Sequence, residues 1–252
     1  MSWVSQKLGQ FTYFDTQLGH PNWQDKRVLD FGGNAGNILR APQCTIQEEN
    51  YWCIDVSPDA IAKGKQDFPR AHWILYDRYN INFNPTGSRL VNIPALDQRF
   101  DYIVAYSVFT HMDVGEMDYL TEQLMAMLNL GGAFAFSFID HNFHSWPDEY
   151  PGNNLMWRFD RMSSTGIKSD AVRLLERVKD AAWFSLFGNG DVYLGSESIA
   201  APERYEGLDC HVFHTVEFMR DHFPGAEILA PANQEMQHCC VLRRDGCRPG
   251  EP

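Results

Sequence analysis

A short apolar strand that runs into a glycine-rich turn constrains this chain more than any other feature. Residues 27–31 read Arg-Val-Leu-Asp-Phe, and Gly32, Gly33 and Gly36 follow directly. A short apolar run that stops at glycines is typical of a buried strand in a parallel sheet. Because glycine has no Cβ and accepts positive φ, such a turn lets the backbone approach a ligand closely. A helix after the turn would point its free N–H groups at the same ligand.

Strands and helices alternate along much of the chain. Further strands are expected at 51–55, 72–76, 100–106, 133–139, 226–229 and 237–243. Helices are expected at 35–40, 59–67, 114–128 and 216–223, with Ser57 and Thr215 as capping residues of the second and the last. This alternation predicts an α/β fold with a parallel sheet whose two faces are covered.

Two regions depart from the alternation. Residues 1–25 are expected to form an N-terminal segment with a short helix around 5–13, and residues 26–252 the main domain. Within that domain, 140–207 is an insertion too long for an ordinary loop. A helix is expected there at 169–182, with these aromatic residues around it: Trp146, Trp157, Phe159, Trp183, Phe184 and Phe187. The insertion is expected to form either a substrate lid or a homodimer interface.

The charge balance narrows the class of partner. The formal net charge is −12, whereas nucleic-acid binders present dense Lys and Arg surfaces, so no nucleic-acid partner is expected. No apolar run approaches the roughly 20 residues that span a bilayer, and the start shows no signal-peptide pattern. The six cysteines show no metal-type spacing. These features predict a cytoplasmic protein without membrane contact.

An acid inside the first strand makes the glycine turn more informative. The stretch Asp30-Phe-Gly-Gly-Asn-Ala-Gly36 resembles the signature Asp-x-Gly-x-Gly-x-Gly of class I S-adenosylmethionine (SAM) dependent methyltransferases. The resemblance implies that Gly32, Gly33 and Gly36 border the methionine part of SAM, with Asp30 near its ammonium group. The middle glycine of the signature falls on Asn34, and asparagine tolerates the left-handed region better than other side chains.

The dinucleotide fingerprint Gly-x-Gly-x-x-Gly fits the same turn poorly. From Gly32 its second glycine would fall on Asn34, and from Gly33 it would fall on Ala35. The poor fit weakens the case for an NAD-linked oxidoreductase but leaves that interpretation open.

Later motifs extend the resemblance in the family's order. Asp55 ends the second strand, where an acid can accept two hydrogen bonds from a ribose diol; capping of the next helix is the alternative. Residues 54–61 and 100–112 are similar to the second and fourth family motifs. The resemblance covers 26–140 well and 208–243 weakly. It implies a Rossmann-like, doubly wound sheet of seven strands, mostly parallel with the last strand antiparallel, and an insertion after the fifth strand.

Position within the resemblance assigns the other cofactor residues. Asp77 and Arg78 end the third strand, where the family places an adenine contact; an exposed loop acid is the alternative. Tyr106 and Ser107 would lie below the transferred methyl group, with His111, a structural histidine in the alternative, one turn away. The expected cofactor residues also include Asn37 and Val56.

Methyl transfer requires in-line alignment and exclusion of water. A hydroxyl or acidic carbon acceptor also requires a base with a pKa near 7. The candidate catalytic residues are His141 and His144, which follow the fifth strand, and His214, which precedes the last helix; a structural role is the alternative for each. No acid after the fourth strand matches the oxygen ligands of Asp140 and Asn142, so no metal is expected.

The sequence therefore predicts a SAM-dependent methyltransferase acting on a small molecule, with oxygen as the favoured acceptor atom and nitrogen or carbon open. A SAM-binding regulatory protein without catalysis and an NAD-linked oxidoreductase stay open as alternatives. A protein substrate also stays open. DNA amino methylation is disfavoured, because Tyr106-Ser-Val-Phe stands where an Asp/Asn-Pro-Pro-Tyr element usually follows the fourth strand.

Overall fold

The computed structural model of the chain describes residues 9–88, 91–143, 176–188, 191–195, 208–232 and 236–245. The helices are α1 (Gln10–Gln17), α2 (Pro58–Asp67), α3 (Val114–Ala126) and α4 (Val216–His222), with 3-10 helices at Glu48–Asn50 and Phe109–His111. The strands are β1 (Val28–Phe31), β2 (Tyr51–Asp55), β3 (His72–Leu75), β4 (Phe100–Ala105), β5 (Leu128–Phe138), β6 (Trp183–Phe187), β7 (Val192–Leu194), β8 (Cys210–His214), β9 (Glu227–Leu229) and β10 (His238–Arg243).

Seven strands form the main sheet, in the order β3-β2-β1-β4-β5-β10-β9. Strands β1 to β5 pair in parallel, and one end of the sheet is antiparallel. The predicted Rossmann-like sheet is therefore confirmed. The order runs outward from β1 to β3 and then resumes with β4 on the other side of β1. Open α/β sheets bind ligands in the crevice at such a switch point.

Burial of the central strands explains why the sequence shows continuous apolar runs rather than alternation. Every residue of β1 is buried, and so are residues 132–138 of β5. A strand covered on both faces has no solvent side on which polar residues could alternate. The central strands therefore form the core from which the strand-end turns extend.

The two predicted capping residues are confirmed. The Ser57 hydroxyl oxygen accepts the N–H of Ala60 at 3.2 Å, and the Thr215 hydroxyl oxygen accepts the N–H of Phe218 at 3.1 Å. Each bond satisfies a backbone donor that has no partner inside the helix. The starts of α2 and α4 are therefore encoded locally.

The predicted helix at 35–40 is wrong. Residues 34–40 form consecutive turns instead, and Gly36 has a φ of 78°, which an α-helix excludes. The N–H groups of Gly36 and Asn37 both point to the Gly33 carbonyl oxygen, at 3.1 and 3.3 Å. The chain thus folds back tightly after β1 without entering a regular helix.

Two other predicted helices are displaced. The leading helix, expected around 5–13, is α1 at Gln10–Gln17, with residues 1–8 outside the described part. Helix α3 ends at Ala126, two residues before the expected end. Strand β5 begins at Leu128 rather than at the expected residue 133, and it therefore includes Gly131 and Gly132.

The region after residue 182 holds a small sheet that the sequence analysis missed. Strands β7, β6 and β8 form an antiparallel sheet in that order. The aromatic residues Trp183, Phe184 and Phe187, expected around a lid helix, lie on β6. A helical turn at 176–178 falls within the helix expected at 169–182. Trp146, Trp157 and Phe159 lie outside the described residues.

Contacts divide the chain into two compact units. The first holds the described residues of Met1–Val108, Tyr119–Phe136 and Val241–Pro252, and the second those of Phe109–Asp118 and Ser137–Cys240. The second unit has its own core, made of Ile139, Val178, Phe184, Leu186, Val192 and Phe213. Of the helices that the structure describes, none has the length and apolarity to cross a bilayer.

Candidate functional site

The turn after β1 alternates left-handed residues. Gly32, Asn34 and Gly36 have φ values of 77°, 54° and 78°. Asn34 thus adopts the conformation of the signature glycine that it replaces, which is accessible to asparagine at modest cost. A Cβ on Gly32 would lie 2.4 Å from the Val108 Cγ2 atom. The turn therefore packs directly against the chain that follows β4.

Asp30 lies beneath this turn. A Cβ on Gly33 would lie 2.5 Å from the Asp30 carboxyl and 2.9 Å from the Cys53 sulfur. The Tyr51 hydroxyl donates to Asp30 Oδ2 at 2.6 Å. Burial raises the pKa of Asp30 to about 7, the Tyr51 hydrogen bond opposes the rise, and the charge of Asp55 adds to it. Asp30 is thus a buried support of the turn that exchanges a proton near neutral pH.

Asp55 connects the glycine turn to the start of α2. Its Oδ2 accepts the N–H of Asn34 and its Oδ1 accepts the N–H of Ser57, both at 2.8 Å. Burial raises its pKa, and backbone hydrogen bonds from Ser57, Asn34 and Val56 lower it. Each carboxylate oxygen can accept a further hydrogen bond, so Asp55 retains capacity for a diol. The side-chain cap of α2 is Ser57, as described above.

The loop after β3 holds the predicted adenine contact. Asp77 is exposed, and the Asn84 side-chain amide donates to its Oδ1 at 3.0 Å and to the Arg78 carbonyl at 3.2 Å. Arg78 itself is buried. Asp77 therefore sits on an ordered loop with one oxygen already hydrogen-bonded.

The first unit contains twelve of the thirteen predicted cofactor residues. Tyr106 and Ser107 follow β4 and are half-buried, and Ser107 has a φ of 58°. Asn37 is buried within the turn, and Val56 is half-buried after β2. The turn, the end of β2 and the end of β4 all lie at carboxyl ends of parallel strands, where such sheets bind ligands.

His111 lies in the second unit, on the 3-10 helix Phe109–His111. Its Nδ1 donates to the Cys210 carbonyl oxygen at 2.8 Å, since a carbonyl only accepts. Its ring centroid is 4.7 Å from that of His211. His111 therefore has structural partners within its own unit.

Two predicted catalytic histidines are deeply buried in the second unit. His141 packs edge-on against Phe184, and His214 stacks between Trp183 and Phe218. Among the described residues, neither ring nitrogen of either histidine has a hydrogen-bond partner. Burial lowers the pKa of His141 to about 4 and that of His214 to about 3. Both imidazoles are therefore neutral at pH 7. The third candidate, His144, lies outside the described residues.

Sequence reasoning missed Tyr51, the hydrogen-bond donor to Asp30. A carboxyl group inside an apolar strand requires a donor, which is a usable signal. However, Tyr51 stands 21 positions away along the chain, and only the pairing of β1 with β2 brings the two together. Among the described residues, no cluster of His, Cys, Asp or Glu could hold a metal ion.

Known proteins are similar to this chain in sequence and in fold. Residues 29–134 match the family model described as a methyltransferase domain. A SAM-dependent methyltransferase from Clostridium acetobutylicum ATCC 824 aligns over 96% of this chain and 92% of its own, with 12% identity and a TM-score of 0.50.

Two further solved structures are similar. The glycopeptide N-methyltransferase MtfA, complexed with S-adenosyl-L-homocysteine (SAH), aligns over 93% of this chain and 88% of its own, with 12% identity and a TM-score of 0.50. Streptomyces venezuelae DesVI aligns over 95% and 93%, with 10% identity and a TM-score of 0.50. At these identities the likeness shows a shared fold.

Proposed function

Because residues 29–134 match the family model described as a methyltransferase domain, we propose that this chain is a SAM-dependent methyltransferase acting on a small molecule. One observation carries the proposal most directly. Asp55 links the glycine turn to α2 through two backbone hydrogen bonds and keeps acceptor capacity on both carboxylate oxygens. That arrangement suits a ligand that joins an amino acid to a nucleoside, as SAM does.

The glycine turn would hold the amino acid part of SAM. Left-handed residues open the turn, and glycine at positions 32, 33 and 36 lets backbone approach the ligand. Asp30 would act from beneath, because its carboxyl is buried and bound to Tyr51. The residues assigned to this subsite are Asp30, Gly32, Gly33, Asn34, Gly36 and Asn37.

Acceptor groups on the neighbouring strand ends would hold the nucleoside. Asp55 would accept both ribose hydroxyls, and Val56 would flank the sugar. Asp77 and Arg78, on the ordered loop after β3, would contact the adenine. Tyr106 and Ser107, at the end of β4, would lie next to the sulfur.

SAM supplies a methyl group on a positively charged sulfur, which is a strong electrophile without further activation. The protein then has to align the acceptor and exclude water. A hydroxyl stays the favoured acceptor. His141 and His214 are neutral at pH 7 and able to take its proton, but pKa values of about 4 and 3 make them weaker bases than a group with a pKa near 7. The net charge of −12 favours a small molecule over a polyanion.

Calorimetric titration with SAH tests the cofactor assignment. We expect binding at micromolar affinity, and absence of binding to the folded protein would refute the proposal. Transfer of tritium from methyl-labelled SAM to a component of a cell extract then tests catalysis. A protein that binds SAH and labels nothing would be the regulatory alternative.

The base assignment has a separate test. If His141 takes the acceptor proton, kcat/KM should fall on the acid side near pH 4, where its pKa lies, rather than near 6.5. His141→Gln should remove that limb and lower kcat about 100-fold. A profile unchanged by the substitution would exclude His141 as the base.

A further inference from the structure

Helix α1 lies before residues 29–134, which match the methyltransferase domain model, but it packs on Tyr106, an expected cofactor residue within that range. Tyr13 and Phe14 of α1 are fully buried. Both rings meet Tyr106 edge to face, with centroids 5.3 and 6.2 Å away and interplanar angles of 85° and 89°. Two aromatic rings of α1 therefore hold the first side chain after β4.

The same helix is also anchored near the glycine turn. The Gln43 side-chain amide donates to the Thr12 hydroxyl, and Gln43 follows the run of turns that begins after β1. A third anchor is the hydrogen bond that Trp23 Nε1 donates to Asp15 of α1, at 2.8 Å. The Trp23 ring packs on Tyr102 of β4, at 4.9 Å.

The contact of α1 with Tyr106 lies on the β4 side of the switch point of the sheet. Strands β1 and β4 are neighbours, and the strand order reverses between them. Gly32 at the end of β1 packs against Val108, two residues beyond Tyr106. The crevice at a switch point is where open α/β sheets bind ligands. Helix α1 is thus attached, through Tyr106, to the β4 border of the expected cofactor crevice.

We propose that α1 forms one wall of the cofactor site and that Tyr13 and Phe14 are positioning residues for Tyr106. Edge-to-face contacts with two rings restrict the orientation of the Tyr106 ring, which is only half-buried. A ring fixed in advance loses less conformational freedom when a ligand packs against it. This inference rests on the proposed function, because it places SAM next to Tyr106.

Matched substitutions on α1 separate positioning from general stability. Tyr13→Leu removes a ring that contacts Tyr106. Phe11→Leu removes a buried ring of the same helix whose recorded ring contact is Trp23, at 5.9 Å. We expect Tyr13→Leu to weaken SAH binding about three- to tenfold, and Phe11→Leu to leave affinity within about twofold. Tyr13→Phe, which keeps the ring, should restore affinity. Equal loss in the two leucine variants would overturn the inference.

A measurement on the unmodified protein covers the case in which a variant does not fold. Hydrogen exchange of the α1 amides, followed by mass spectrometry, should slow on addition of SAH. Unchanged exchange in α1, with protection in the glycine turn, would overturn the inference and leave the proposed function intact. Absence of SAH binding to the wild-type protein would instead overturn the proposed function.

Discussion

Two pairs of buried side chains, one pair in each unit, differ in how their polar atoms are hydrogen-bonded. In the first unit, Asp30 and Asp55 lie beneath and beside the glycine turn, and each accepts hydrogen bonds from named donors. In the second unit, His141 and His214 are equally buried, and their ring nitrogens have no hydrogen-bond partner within the part of the chain that the structure describes. Burial of a polar group is costly unless it is hydrogen-bonded, by roughly 1–3 kcal/mol in proteins.

The difference teaches what each arrangement is suited to. Asp55 connects the glycine turn to the start of α2, because it accepts the backbone N–H groups of Asn34 and Ser57. Asp30 connects β1 to β2 through the Tyr51 hydroxyl. Unpaired imidazoles add no such connection, and they are tolerated because a neutral ring costs less to bury than a charge. They also keep hydrogen-bonding capacity that a ligand or a proton could use. The first unit is therefore organised in advance, whereas the second keeps unused polar groups.

Asp55→Ala should have the largest effect, because Asp55 connects the glycine turn of the first unit to α2. The change removes acceptors for Asn34 and Ser57 and for the expected diol, and hydrogen bonds to charged groups contribute about 1.5–3 kcal/mol each. SAH affinity should fall more than about 100-fold by calorimetry. Glu49→Ala removes an equal charge from an exposed ion pair with Arg70 and should leave affinity unchanged. Retained affinity in Asp55→Ala would refute the assignment of Asp55.

Two substitutions to phenylalanine should change the free energy of unfolding in opposite directions. Tyr51→Phe removes the donor to Asp30 and should lower the free energy of unfolding by about 1–3 kcal/mol. His214→Phe replaces unpartnered ring nitrogens by carbon between Trp183 and Phe218, and should raise it by about 1 kcal/mol. Urea denaturation measures both. If His214→Phe destabilised the protein as much as Tyr51→Phe, the distinction between hydrogen-bonded and unpartnered buried side chains would be refuted.

The pH dependence should also differ between the units. A histidine whose folded pKa lies below its ordinary value of 6.5 destabilises the fold as pH falls, because the unfolded chain binds the proton more tightly. His141 and His214, with pKa values of about 4 and 3, should therefore weaken the second unit below pH 6.5. The pKa of Asp30 is raised to about 7, so its burial costs stability as pH rises from 3.8 to 7.

Unit-resolved hydrogen exchange at pH 5 and pH 8, corrected for intrinsic rates, measures these slopes. We expect the second unit to lose protection at pH 5, and the glycine turn to lose a smaller amount at pH 8. His214→Phe is the control, because it should reduce the acid sensitivity of the second unit. Parallel loss in both units at pH 5 would contradict the expectation.

Local signals predicted the parts of the fold that local interactions determine. The caps at Ser57 and Thr215 mark helix starts because each hydroxyl bonds an N–H three residues on. The apolar run before Gly32 marks a central strand for a similar reason, since burial on both faces requires it. The glycine turn was recognisable because Asn34 is a substitute that the left-handed conformation permits.

Interactions between distant residues account for what the sequence did not show. The helix expected at 35–40 is lost because Asp55, from the next strand, fixes Asn34 and the chain reverses at Gly36. The sheet of β6, β7 and β8 was missed because the apolar run from Trp183 to Phe187 reads equally well as lid or core. Packing of Tyr13 on Tyr106 joins segments whose sequences carry no mutual signal.

The route of the chain has a practical consequence. The backbone passes between the two compact units after Val108, Asp118, Phe136 and Cys240, so neither unit is a continuous piece of sequence. A fragment that stops at the end of the family match would lack Arg244, whose backbone N–H and side chain donate to the Gly132 and Leu128 carbonyl oxygens. Dissection by truncation should therefore yield insoluble pieces, and separate expression would require relinked, permuted sequences.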